Sequence, residues 1–249
     1  MRGADGPGAR VAALFDVGYC LMDESARLAS ALVWLAETLT RRGRPTSAAT
    51  LGAAYRDACR APSPTEPSLV VQTLQGLGMP HGETLAIRWV LPWEVMPLEA
   101  YPDAVPALRT LRGAGFRVGV LANQPPSTRA DLDRAGLSAL CDGVWLSGAV
   151  GLAKPESRFF RLPLEAWGTP AERVAYVGDR PDNDVAPAKA LGMATVRVLT
   201  GPHAEQPARG DGEAPTMEAR SLAEVVARLL EWQARLGSRR AALRHGDVI

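Results

Sequence analysis

The chain has 249 residues, of which 47% are hydrophobic, enough to bury one full α/β core beside a smaller second unit. Its 28 basic and 27 acidic residues leave a formal net charge of +1, so no long-range field attracts nucleic acid or an anionic membrane, and we expect neither as a partner. The three cysteines form no CxxC pair, the N-terminus has no apolar signal-peptide segment, and no run of 18 uncharged apolar residues occurs, which together predict a cytoplasmic protein.

The first part of the chain combines one strand with a long helical segment. Residues 11–15 form an apolar run of strand length that ends at Asp16, and the chain-breaking Gly18 follows. Residues 25–98 show no strand-like alternation, which predicts an all-helical insertion. The predicted helices of this insertion span about 25–42, 46–60, 67–76 and 83–91.

Beyond residue 101, helices and strands alternate. The predicted helices are 103–115, 126–135, 157–167 and 182–191, and the predicted strands are 117–121, 143–146, 174–177 and 195–198. A loop over 201–215 precedes a last helix at 221–236. We therefore predict an α/β fold in which residues 1–24 and 99–249 form a Rossmann-like parallel sheet with helices on both faces, and residues 25–98 form an inserted helical cap.

The acid at the end of the first strand is the first candidate site residue. In a parallel α/β sheet, ligands bind at the carboxyl ends of the strands, where Asp16 is expected. A carboxylate there can attack phosphorus, because an acyl phosphate divides a difficult displacement by water into two easier steps. An aspartate that merely caps the turn explains this segment equally well.

Two further segments place polar groups just after predicted strands or at a helix start. Ala122 and Asn123 follow the strand 117–121, where an amide and free backbone N–H groups can hold a phosphoryl oxygen. Lys154 stands beside Pro155 at the head of a predicted helix, where an ammonium offsets the charge of a carboxylate and a phosphate. Each segment alone is weak evidence, since strand-to-turn transitions are common and isolated lysines are usually solvated.

The sequence Gly-Asp-Arg-Pro-Asp-Asn-Asp over residues 178–184 is the most specific motif in the chain. It follows a buried strand and supplies three carboxylates in six residues. Mg²⁺ takes oxygen ligands, commonly one or two carboxylates with waters and a substrate phosphate. An acidic helix N-terminus explains Asp182 but not a Gly-Asp pair directly at a strand end.

The order of these four segments resembles the four motifs of the haloacid dehalogenase-like (HAD) superfamily over about residues 11–200, and the helical insertion resembles the C1-type cap of that superfamily. The resemblance implies that Asp16 is the nucleophile and Lys154 the charge-neutralising lysine. It implies Mg²⁺ as cofactor, with Asp16, the backbone carbonyl of Gly18, Asp179 and Asp184 in the metal site. The substrate-contacting candidates are Gly18, Tyr19, Ala122 and Asn123.

Two positions depart from the pattern of the superfamily. Most of its phosphatases carry a second aspartate two residues after the nucleophile as general acid and base, and this position is Gly18 here. General acid–base help is typically worth about 10²–10⁴ in rate. A serine or threonine hydroxyl of the second motif is replaced by Ala122, and one missing oxyanion donor can cost about 10²–10³.

The leading hypothesis is a Mg²⁺-dependent hydrolase that removes phosphate from a small phosphorylated metabolite, as a monomer or homodimer, with weakened acid–base machinery. A dehalogenase-type displacement at carbon is the first alternative, because halide leaves without a proton. A HAD-like protein that binds without turnover is the second. Substrate selection is expected in the cap, and the candidates to line the pocket are Tyr19, Cys20, Trp34, Tyr55, Arg88, Trp89 and Trp93.

Overall fold

The computed structural model describes residues 10–62, 68–92 and 98–246, with side chains as far as residue 238. Residues 1–9, the pocket candidate Trp93 and the first residue of the predicted helix 67–76 lie outside these ranges.

A six-stranded, fully parallel sheet organises the molecule, with strand order β5-β4-β1-β6-β7-β8. A separate two-stranded antiparallel sheet joins β2 and β3. The strands are β1 (Ala12–Phe15), β2 (Met22–Asp23), β3 (Glu99–Ala100), β4 (Arg117–Ala122), β5 (Gly143–Leu146), β6 (Val174–Gly178), β7 (Ala194–Val198) and β8 (Met217–Ala219).

Ten α-helices occupy the described part of the chain. Four of them precede β3: α1 (Ser25–Arg41), α2 (Ala48–Arg60), α3 (Leu69–Gly76) and α4 (His81–Val90). The other six are α5 (Ala104–Gly113), α6 (Thr128–Arg134), α7 (Ser147–Val150), α8 (Ser157–Trp167), α9 (Ala186–Ala190) and α10 (Leu222–Gly246). A π-helical turn, Pro181–Val185, leads into α9.

Both faces of the parallel sheet are buried, because alternate residues of each strand point to opposite faces. Ala13 and Phe15 of β1 belong to one hydrophobic cluster with α5, α6 and α10, whereas Ala12 and Leu14 belong to a second cluster with α8 and α9. Val225 and Leu229 of α10 are fully buried in the first cluster, and Val226 and Leu230 pack against it while partly exposed. The predicted Rossmann-like α/β fold is confirmed.

The four helices between β2 and β3 have a hydrophobic cluster of their own. Its buried members are Leu35, Leu39, Leu51, Leu74, Met79 and Ile87. The chain leaves the parallel sheet through β2 and returns through β3, and these two strands pair side by side. Among the described residues, no helix is both long and apolar enough to cross a membrane.

Several parts of the prediction differ from the structure. The two-residue strands β2 and β3 and the four-residue helix α7 were not predicted. The edge strand β8 was missed, because a three-residue strand with one exposed residue gives no measurable periodicity. The last helix runs from Leu222 to Gly246, ten residues beyond the predicted end at 236.

Candidate active site

Three strand ends and the loop that carries Lys154 meet at the carboxyl edge of the sheet. Phe15, the last residue of β1, lies between Val120 of β4 and Val177 of β6, so Asp16 emerges between these neighbouring strands. Asp179 follows β6 directly, and Lys154 lies in the loop between α7 and α8. Folding therefore brings the first, third and fourth sequence motifs to one place, as the parallel topology requires.

Lys154 is the centre of a buried ionic cluster. Its Nζ lies 2.9 Å from Oδ1 of Asp16 and 2.7 Å from Oδ1 of Asp184. It also donates a 3.0 Å hydrogen bond to the hydroxyl of Tyr176, which in turn donates to the carbonyl of Leu121 at 2.8 Å. Because every partner comes from a different segment, the ammonium is fixed in one orientation.

The electrostatics of the cluster are dominated by burial. Burial raises the pKa of Asp16, Lys154 lowers it in part, and the charge of Asp184 raises it again. Burial likewise raises the pKa of Asp179, helped by Asp184 and Asp16. For Lys154, burial alone would lower the pKa, but the charges of Asp16 and Asp184 overcome it, so the ammonium stays protonated. Lys154 therefore compensates Asp16 and Asp184 directly, whereas the charge of Arg180 acts more strongly than that of Lys154 to lower the pKa of Asp179.

Asp184 organises the loop after β6. Its Oδ2 accepts hydrogen bonds from the backbone N–H groups of Asp179 and Arg180, at 3.1 and 3.0 Å. A Cβ at Gly178 would lie only 2.5 Å from its carboxyl carbon. The glycine of the Gly-Asp pair is thus needed because the buried carboxylate packs directly against the backbone.

The amide of Asn123 is engaged by the backbone of Lys154. Its Nδ2 donates to the Lys154 carbonyl at 2.9 Å, and its Oδ1 accepts from the Lys154 N–H at 2.7 Å. Asn123 thus fixes the segment that carries the lysine and also lines the pocket. Ala122 lies in the hydrophobic core with no exposed surface, and it is not among the residues that line the pocket.

The loop after Asp16 is held by the segment that follows β7, at the same carboxyl edge of the sheet. Tyr19 adopts a positive φ of 54°, and its backbone carbonyl accepts a 2.5 Å hydrogen bond from Thr200 Oγ1. Its ring covers Gly201, where a Cβ would lie 2.4 Å from the ring. These contacts fix the position of Gly18 and Tyr19 relative to Asp16.

A pocket of about 460 Å³ opens above the cluster, between the sheet edge and the helices that precede β3. From the sheet side it is lined by Asp16, Gly18, Tyr19, Glu24, Asn123, Gln124, Ser147, Ala153, Lys154, Asp179, Arg180, Asn183 and His203. From the helical side it is lined by Tyr55, Ser68, Leu69 and Arg88. Of the aromatic candidates in the helices, Tyr55 reaches the pocket, Trp34 packs against the helical core and Trp89 is 78% exposed.

Comparison with known proteins assigns this architecture. The family model for haloacid dehalogenase-like hydrolases matches residues 50–192. The chain belongs to this family. The matched range includes Lys154, Asp179 and Asp184 but begins after Asp16 and Gly18.

Curated relatives of this HAD-like chain are phosphatases. It is 37% identical over 134 residues to a glyceraldehyde 3-phosphate phosphatase of Methanocaldococcus jannaschii, covering 53% of this chain and 58% of the relative. It is 39% identical over 108 residues to a phosphoserine phosphatase of Thermus thermophilus, covering 43% of each. The chain thus spans about half the length of the curated relatives it matches.

A solved structure extends the likeness over nearly the whole HAD-like fold. The HAD phosphatase from Thermococcus onnurineus superposes with a TM-score of 0.60 at 25% identity, covering 88% of this chain and 97% of that chain.

Several pocket residues of this family member were not found from its sequence. His203 lies in the segment 201–215 that was predicted only as a loop, yet it is 3% exposed, and burial, with the charge of Arg180, lowers its pKa to about 4. Arg197 causes this inward folding, because its guanidinium donates to the carbonyls of His203 and Gln206. Glu24 was missed because it lies between a strand and a helix with no motif around it.

Proposed function

We propose that the protein hydrolyses phosphate monoesters of small metabolites with Mg²⁺, through an aspartyl-phosphate on Asp16. The observation that carries the proposal is the position of Asp16 at the tip of β1, in the pocket, 2.9 Å from the buried ammonium of Lys154. A nucleophilic carboxylate needs a neighbouring cation, because an incoming phosphate is itself an anion. A residue that only caps a turn needs no such buried partner.

The acidic cluster fits a divalent cation. Carboxylate oxygens of Asp16, Asp179 and Asp184 all lie within 4.8 Å of one another, and Lys154 forms ion pairs with Asp16 and Asp184. Asp184 already uses both oxygens, one for Lys154 and one for two backbone N–H groups. We therefore assign the direct contacts to Asp16 and Asp179, and assign to Asp184 the orientation of Lys154. When bound, Mg²⁺ would screen the charges of Asp16 and the substrate phosphate.

Asp16, Lys154 and Asn123 have different roles in the two steps of the proposed reaction. A carboxylate oxygen of Asp16 forms a bond to phosphorus as the bond from phosphorus to the ester oxygen breaks. Water next attacks the phosphorus of the acyl phosphate, which releases phosphate and regenerates Asp16. Lys154 holds the attacking carboxylate in place and offsets charge in both steps, while Asn123 keeps the Lys154 segment in position.

The helices over residues 25–98 act in this proposal as a cap on the core formed by residues 1–24 and 99–249. They contribute Tyr55, Ser68 and Arg88 to the wall opposite the cluster, where the organic part of a substrate would lie. A pocket of about 460 Å³ suits a small metabolite. The relatives act, by their names, on glyceraldehyde 3-phosphate and phosphoserine, which are of this size class.

The test is phosphate release from a panel of sugar, amino-acid, nucleoside and triose phosphates, with Mg²⁺ or with EDTA. We expect release that requires Mg²⁺ and falls by at least about 10⁴-fold in Asp16→Asn, as for other nucleophile deletions. Asp103→Asn is the matched control, because this exposed acid makes no side-chain capping hydrogen bond at α5.

Two outcomes would contradict the proposal. Halide release from 2-haloacids without Mg²⁺ would assign displacement at carbon to Asp16 instead. Saturable binding of a phosphate ester without any turnover would assign a binding role to the same pocket.

A further inference from the structure

The glycine at position 18 is explained by steric crowding and not by its backbone conformation. Its φ lies outside the left-handed region, so an L-residue could adopt the same backbone. A Cβ at this position would meet the carboxyl group of Glu24, at 2.8 Å from Cδ and 2.9 Å from both oxygens. The carboxylate of Glu24 therefore fills the volume into which a side chain at residue 18 would project.

Glu24 is held in this place by groups of the core. Gln124, two residues beyond the end of β4, donates from Nε2 to Oε1 of Glu24 at 2.7 Å. The amide oxygen of Gln124 in turn accepts from Thr128 Oγ1 at 3.3 Å and from Arg27 at 3.5 Å. This chain of contacts fixes both the amide and the carboxylate that it binds.

Glu24 also faces the reacting groups. It lines the same pocket as Asp16, Lys154 and Asp179, and its backbone precedes α1, at the point where the chain passes from the sheet to the helices. A glutamate that served only to cap α1 would bond the first backbone N–H groups of that helix, but its side chain makes no capping hydrogen bond.

We propose that Glu24 is the general acid and base of the hydrolysis, supplying from residue 24 the carboxyl group that residue 18 lacks. This inference rests on the proposed phosphohydrolase function. It identifies a catalytic residue that the sequence pattern alone does not show, because the two positions are six residues apart but share one volume in space.

Glu24 would give up a proton in the first step and recover one in the second. As Asp16 bonds to phosphorus and the ester bond breaks, the proton of the Glu24 carboxyl passes to the departing oxygen, which leaves as an alcohol. Water then attacks phosphorus and gives its proton to the Glu24 carboxylate, while the bond from phosphorus to Asp16 breaks. Both carboxyl groups return to their starting states, and no further reactant is consumed.

The first test compares Glu24→Gln with wild type on two aryl esters and one alkyl ester. Glutamine keeps the shape and can still accept from Gln124, but it has no proton to give to a leaving group. We expect kcat/KM to fall by about 10²–10⁴ for an alkyl phosphate, less for phenyl phosphate and least for 4-nitrophenyl phosphate, whose leaving group needs no proton. Equal losses on all three esters, or no loss, would overturn the proposal.

A pre-steady-state measurement separates the two steps. In Glu24→Gln, 4-nitrophenyl phosphate should give a burst of about one nitrophenolate per enzyme and then slow turnover, because the second step lacks its base. The matched control is Glu37→Gln on the exposed side of α1, for which we expect wild-type rates. The assignment would be contradicted if Glu24→Gln gave no burst and hydrolysed the phosphoryl-enzyme at the wild-type rate.

The second test moves the carboxyl group. Glu24→Ala removes it and vacates the space at residue 18, and adding Gly18→Asp restores a carboxylate there. We expect Gly18→Asp with Glu24→Ala to hydrolyse the alkyl ester at least about tenfold faster than Glu24→Ala alone. Gly18→Asp alone should be impaired, since its Cβ meets Glu24. A double variant that is folded by circular dichroism but no faster than Glu24→Ala would count against the proposal.

Failure of this inference can be told apart from failure of the proposed function. If wild type is active and Asp16→Asn is inactive while Glu24→Gln loses nothing, only the role of Glu24 falls. If wild type releases phosphate from none of the esters, both proposals fall together.

Discussion

The two walls of the pocket are built in different ways. The sheet wall consists of strand ends whose side chains are buried and bonded to one another, as Lys154 is to Asp16, Asp184 and Tyr176. The helical wall consists of partly exposed side chains such as Arg88, which donates to Ser68 Oγ at 3.1 Å on an adjacent helix cap. Catalysis requires a fixed geometry of the reacting groups, whereas substrate binding can tolerate the loss of one contact. Substitutions in the sheet wall should therefore lower kcat and stability, and substitutions in the helical wall should mainly raise KM.

Of the substitutions that test this difference between the two walls, Lys154→Met should have the largest effect. It leaves the buried Asp184 and the partly buried Asp16 without their shared cation, which should cost about 3–5 kcal/mol of unfolding free energy. The loss of the charge near phosphate should also lower kcat by about 10²–10³. Urea unfolding and steady-state kinetics measure the two effects.

Lys189→Met is the matched control for the lysine. Its exposed Nζ bonds only surface carbonyls, those of Asp211 and Ala214, among the contacts the structure describes. We expect wild-type kcat and a stability change within about 0.5 kcal/mol. Equal destabilisation by the two substitutions would contradict a special role for the buried ammonium.

Gly178→Ala should have the next largest effect. The added Cβ would lie 2.5 Å from the carboxyl of Asp184, which cannot move without shifting Lys154. Overpacking of this kind costs about 1–3 kcal/mol, and kcat should fall with it. Thermal unfolding compared with Gly76→Ala, at the end of α3 where nothing lies within 4 Å, isolates the contact. Similar melting temperatures for both variants would exclude the close packing described here.

Arg88→Ala tests the helical wall and should have the smallest effect. Arg88 is exposed and lines the helical side of the pocket. We expect KM for the preferred ester to rise about tenfold, or about 1.4 kcal/mol, with kcat within threefold and stability unchanged. A large fall in kcat with unchanged KM would mean that the helical wall takes part in the chemistry. Arg41→Ala, on the surface of α1, is the control.

The sequence could predict the sheet wall because the ends of buried strands can be recognised from the sequence. The apolar runs before Asp16 and Asp179 are long enough to identify, and parallel topology brings their ends together. Periodicity alone also predicted helices within residues 25–98 and the strands β4, β5, β6 and β7. By contrast, the position of Glu24 beside Gly18, the Tyr176 hydroxyl on Lys154 and the inward turn of His203 depend on contacts between distant segments. No local pattern in the chain reports such contacts, so these residues appear only in the folded structure.

The most direct test of the central claim is to trap the covalent intermediate. The protein would be mixed with Mg²⁺ and a phosphate ester labelled at phosphorus, quenched in acid within milliseconds and digested for mass spectrometry. We predict a phosphoryl group on the peptide that carries Asp16, absent in Asp16→Asn and longer-lived in Glu24→Gln. Phosphate release at the wild-type rate with no label at Asp16, or with label on another residue, would contradict the account.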